Sequence, residues 1–243
     1  MKITIFLILF FSILVGSLFP LSETLITFGY ELENDFEFST NNDTWSYMNS
    51  SGINLGINKY WDGYNIGLFV QQSFLFPTFS DVKNISGSVP FVVKDFDFMF
   101  KYNIIIGPSF RLTLSDYFLF NIGTGFSFSY LLANMGANFS QKTSGYLREL
   151  NSLFFGLGMN VNINYYVSDI MYIGIGSIFI VNFDKYSIDH WSGTSYPSNE
   201  SDQYFSMITD NWLGFSCKPY LYIGFCFYNN SINMGKPKNK TSS

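Results

Sequence analysis

The strongest constraint on this chain is a two-residue rhythm that recurs eight times. Ile26, Phe28, Tyr30 and Leu32 alternate with Thr27, Gly29, Glu31 and Glu33. A β-strand points successive side chains to opposite sides, so such a stretch is a strand whose two faces meet different surroundings. The pattern returns near 53–58, 65–71, 98–112, 118–129, 155–164, 172–183 and 213–227. One face is nearly all Phe, Ile, Leu and Val; the other is mostly Asn, Gly, Ser and Tyr. An even number of such strands suits a closed sheet.

The connections alternate in length. Asp62-Gly63, Ser115-Asp116 and Ser168-Asp169 have the chemistry of tight hairpin turns. Longer segments near 34–51, 75–96, 131–147 and 184–203 read as long loops. Short turns at one end and long loops at the other are how a transmembrane barrel is wired. The expected fold is therefore all-β: an eight-stranded antiparallel up-and-down transmembrane β-barrel. Gly-x-Gly pairs at Gly123 and Gly125, Gly156 and Gly158, and Gly174 and Gly176 fall inside strands, so they are not nucleotide loops. They are expected to relieve crowding opposite Phe69, Phe154, Tyr172 and Tyr220.

Soluble barrels alternate too, and here composition decides. Only 13% of the residues are charged and 21% are aromatic, with 29 Phe and 17 Tyr. A barrel in water would carry Lys and Glu on its polar face, whereas small and amide residues suit a crowded interior. Lipid offers no water to an open sheet edge, so the sheet must close. A net charge of −5 argues against nucleic acid as a partner.

Lys2 followed by the apolar run Ile3 to Val15 matches a secretory signal peptide and is short for a membrane helix. The expected organisation is a signal peptide over 1–22, a barrel over 23–228 and a flexible basic tail over 229–243 carrying Lys236, Lys238 and Lys240. The barrel portion resembles the small bacterial outer-membrane barrels of the OmpA, OmpX and OmpW type. Its Asn- and Phe-rich character is also similar to that of spirochaete outer-membrane proteins. The resemblance implies residence in a bacterial outer membrane after removal of the signal peptide. It also implies the lipid bilayer and the barrel-assembly machinery as partners. Such barrels often end on an aromatic residue that the machinery reads, whereas here Tyr228 is followed by the tail.

A few charges fall on the polar face. Matching the turn-side ends of the first and last strands sets Glu33, and less closely Glu31, beside Lys218. Lys101 and Arg111 are further cations able to reach across a narrow lumen. Glu31, Glu33, Lys101, Arg111 and Lys218 are thus expected to form a structural charge cluster, because a buried charge is costly without a partner. His190 is the single histidine, placed by this reading in the fourth long loop beside Asp189. Cys217 and Cys226 share a strand, face opposite ways and stand roughly 30 Å apart, so they cannot form a disulfide. No catalytic, metal or cofactor-binding residues are expected. The leading expectation is a non-enzymatic surface barrel for envelope structure, adhesion or contact with an external ligand or host surface through its loops. The alternatives are a narrow conduit or binding protein for a small, apolar molecule, and a rim enzyme using His190.

Overall fold

The computed structural model describes residues 23–39, 44–61, 64–84, 96–135, 147–191, 203–204 and 212–228. The strands are β1 (Glu23–Ser39), β2 (Thr44–Tyr60), β3 (Ile66–Asn84), β4 (Phe96–Thr113) and β5 (Phe118–Met135). They continue with β6 (Leu147–Tyr166), β7 (Met171–Trp191), the two-residue β8 (Gln203–Tyr204) and β9 (Trp212–Tyr228). Neighbours pair antiparallel from β1 to β7, and β9 pairs with both β7 and β1. The chain is therefore an eight-stranded closed antiparallel barrel, with β8 a short addition to the edge of β7 at Asp189 and His190.

At the turn-side end, serine side chains hold the hairpins. Phe118 N–H donates to Ser115 Oγ at 3.2 Å, and Leu114 N–H to Phe118 O at 2.9 Å. Met171 N–H donates to Ser168 Oγ at 3.1 Å, and Val167 N–H to Met171 O at 3.0 Å. The Asp62-Gly63 turn, the segment 1–22 and the tail 229–243 lie outside the described residues.

At the other end the expectation of long loops needs correction. The segment 34–51 is mostly a continuous hairpin, paired from Asn34 opposite Asn49 to Ser39 opposite Thr44. β3 likewise runs on to Asn84, β6 begins at Leu147 and β7 ends at Trp191. About 9–11 tilted residues cross a bilayer, so these strands project beyond it. Once past lipid, both faces of a ladder can be polar, and the apolar signal that marks a strand fades while its backbone bonds continue. His190 accordingly lies in β7, opposite Glu149 on β6 and Gln203 on β8, and not in a loop.

The faces fall as the alternation predicts. Phe126 is 77% exposed and Ile175 58%, while Asn54, Asn103 and Asn160 are buried inside. Cys217 points outward and Cys226 inward, and neither is in a disulfide. A Cβ on Gly123 would lie 2.6 Å from the Phe69 ring, and one on Gly176 would lie 2.6 Å from that of Tyr220. Tyr172 packs in the same way over Gly224. Phe154 differs from expectation: two lysines stand over its ring, Lys101 Nζ at 5.9 Å and Lys185 Nζ at 5.2 Å from the centroid.

Candidate functional site: the charged lumen

The lumen divides by chemistry along its axis. Towards the projecting end, β1 turns Glu31, Glu33, Asp35 and Glu37 inward on alternate residues. Lysines reach them from three other strands. Lys101 on β4 spans the lumen, donating to Glu33 Oε1 at 2.9 Å and to Asp35 Oδ2 at 2.6 Å. Lys218 on β9 lies 3.0 Å from Glu33 Oε1 and 3.8 Å from Glu31 Oε1, as ion pairs rather than aligned hydrogen bonds. Lys185 on β7 donates to Glu37 Oε2 at 2.9 Å. The side chains of Glu31, Glu33 and Lys218 have no exposed surface.

The seam register explains the meeting of Glu33 and Lys218. Glu31 pairs with Tyr220 and Asn34 with Cys217 in one continuous register, which sets Glu33 opposite Lys218. The ladder is interrupted there because Pro219 has no N–H to give. The ion pair therefore sits behind the gap in the backbone bonds.

Asp35, Glu37 and Lys185 belong to this group although sequence reading omitted them. The two acids continue the parity of Glu31 and Glu33, a signal hidden by reading residues from 34 onward as a loop. Lys185 had no such signal. In β6–β7 pairing, Gly156 opposes Asn182 but Phe155 opposes Asp184. The bulge at Phe183 shifts the alternation and aims Lys185 inward, as an extra residue in a strand does.

Arg111 departs from the expected cluster. It lies far down β4 at the turn end, where it pairs with Glu23 and stacks over Tyr60 at 4.5 Å. From there upward the lumen is filled by neutral groups. Tyr60 OH donates to Asn121 Oδ1 at 2.9 Å, and Asn121 Nδ2 to Asn162 Oδ1 at 2.9 Å. Tyr222 OH reaches Asn162 at 3.0 Å, and Tyr220 OH reaches Asn160 at 2.6 Å. Asn160 donates to Gln71, which donates to Asn54, which donates to Glu31. The lumen thus holds two hydrogen-bonded sets, one of Tyr60, Asn121, Asn162 and Tyr222 at the turn side, and one that runs from Tyr220 through Asn160, Gln71 and Asn54 to Glu31 in the charged half.

This arrangement can hold opposite walls together, and its buried groups close the centre of the barrel. The outer wall carries a shallow apolar groove of about 750 Å³ between Phe28, Tyr30, Ile173, Ile175, Leu221 and Ile223, within the lipid belt. Among the described residues, no group of three or more His, Cys, Asp or Glu could hold a metal ion.

No family model matches the sequence, and no curated protein matches it. Among solved structures, Neisserial surface protein A is similar over 84% of this chain and 97% of its own, at 10% identity and a TM-score of 0.44. Ail, the attachment invasion locus protein of Yersinia pestis, is similar over 85% and 99%, at 12% identity and a TM-score of 0.43. The outer membrane protease OmpT of Escherichia coli is similar over 86% and 97%, at 9% identity and a TM-score of 0.40. With its closed sheet, polar interior and apolar outer belt, the chain is a β-barrel of the outer-membrane type.

Proposed function

We propose that this outer-membrane barrel is a non-enzymatic, non-conducting scaffold that presents its projecting strands and connections for surface contact. The observation that carries this reading is the filled lumen. Lys101 crosses it from β4 to β1, and buried tyrosines and amides cross it below. Glu31, Glu33, Asp35, Lys101 and Lys218 serve as a structural clasp in this reading, with Arg111 and Glu23 a second clasp at the turn end. Residues 1–22 act as the export signal, the assembly machinery inserts the barrel, and the tail 229–243 rests in the periplasm. The projecting ends meet an external ligand or host surface.

Planar-bilayer recording of the purified, refolded protein tests this. The expected result is no steady single-channel conductance. Steady channels would instead favour the conduit for a small apolar molecule. His190→Ala with an unchanged phenotype would remove the alternative of a rim enzyme.

A further inference from the structure

The turn end of the barrel leaves apolar side chains uncovered. Leu114 and Tyr117 flank the Ser115-Asp116 turn, Val167 and Ile170 flank Ser168-Asp169, and each of the four is more than half exposed. The two turns are tied to each other. Tyr166 N–H donates to Tyr117 O at 2.9 Å, and the rings of Tyr117 and Tyr165 lie 6.4 Å apart. Within each apolar pair stands an exposed carboxylate, Asp116 or Asp169. Among the described residues, no cation pairs with either.

Lipid suits this surface poorly. Drawing the flanking side chains among acyl chains would bring the carboxylate between them along, and a charge so placed is costly without a partner. The surface calls instead for an occupant with apolar groups for the flanks and cations for the two aspartates.

A segment of that composition starts beside the turns. Cys226 N–H donates to Ile170 O at 2.9 Å, so β9 runs along the β6–β7 turn and ends there at Tyr228. The fifteen residues 229–243 carry Ile232, Met234, Lys236, Lys238 and Lys240 at a spacing of two, and no Asp or Glu. In an extended chain that spacing puts all five on one side, apolar first and basic after. Pro237 favours an extended backbone at Lys236. Fifteen extended residues reach about 50 Å, well beyond the separation of two turns that hydrogen-bond each other.

We propose that residues 229–243 form a strap across the turn end of the barrel. Ile232 and Met234 cover the flanks of the two turns, and the lysines meet Asp169 and Asp116. The apolar contact carries most of the hold, because exposed ion pairs contribute little and are screened by salt. The strap lies at the end opposite the projecting strands and is independent of what those strands contact.

The test is the rate at which a neutral, water-soluble maleimide modifies Ile170→Cys. The variant is made in the full chain with Cys217→Ser, Cys226 being buried, and reconstituted in phosphatidylcholine nanodiscs, where both ends of the barrel meet water. The thiol should react slowly beside the native tail, and several-fold faster once Ile232→Asn and Met234→Asn are added. Asp116→Lys with Asp169→Lys should raise the rate by less, chiefly at low salt. Adding Lys236→Glu, Lys238→Glu and Lys240→Glu should then restore the slow reaction; no restoration would overturn the lysine contacts. A thiol that is slow with either tail would mean that lipid covers the turn, and would overturn the proposal. One that is fast with either tail would mean that the tail lies elsewhere, and would overturn it equally. A native-tail rate that falls as protein concentration rises would assign the turn end to a second copy of the chain and also overturn it. Val167→Cys, on the other flank of the same turn, gives a second reading of the same surface if Ile170→Cys does not fold.

Discussion

The two halves of the lumen fill the same narrow space with opposite chemistry. Towards the turns, Tyr60, Tyr220 and Tyr222 meet Asn121, Asn160 and Asn162 through neutral hydrogen bonds. Towards the projecting end, acids of β1 meet lysines from β4, β7 and β9. A neutral group that loses its partner forfeits one modest bond, whereas a buried charge that loses its partner carries a desolvation cost nothing offsets. The charged half should therefore be brittle and the neutral half tolerant.

The harshest test of that contrast is Lys218→Met. Breaking a buried pair costs about 3–5 kcal/mol, because one charge stays behind unpaired. Urea unfolding in lipid vesicles should show this loss, and adding Glu33→Gln with Glu31→Gln should restore part of it. If the single change is silent, or the three changes simply add, the charged half is not a coupled unit. The outer wall provides a scale for comparison. Phe126→Arg should cost about 2–4 kcal/mol, the penalty for Arg near the bilayer midplane; a variant as stable as wild type would mean that Phe126 does not face lipid. Gly123→Ala comes next. Its Cβ would press on the Phe69 ring, and overpacking of this kind costs about 1–3 kcal/mol. Phe69→Leu in the same chain should recover part of that, and no recovery would mean the ring is not what the glycine admits. Smallest is Tyr220→Phe, which removes one neutral bond to Asn160, worth about 1 kcal/mol. A loss as large as that of Lys218→Met would erase the distinction between the halves.

The barrel was legible because lipid and a crowded lumen demand different residues at every second position. That demand is written in runs such as Phe155-Gly156-Leu157-Gly158. It also fixed the placing of Glu33 beside Lys218, since matching the strand ends leaves little freedom in register. What stayed hidden has local causes. Past the bilayer both faces of a strand are wet, so Asn34 to Ser39 lost the contrast that marks a strand and took Asp35 and Glu37 with them. Lys185 depends on a bulge, which inverts parity without changing composition. The partner of Arg111 was missed because Glu23 opens the first strand, just outside the clear alternation.

The interrupted ladder at Pro219 and the origin of every acid in the described ion pairs have a consequence for assembly. Those acids all lie on β1, the first strand made, and the cations arrive later, with Lys218 on the last. The contact between Glu23 and Cys226 closes a separation of 203 residues. Forming so long a loop is entropically slow, so the seam closes after the local hairpins. Until then Glu31 and Glu33 lack the cation on β9 and favour water over lipid. An unfinished sheet thus carries its own mark of incompleteness, and the arrival of the final strand removes it.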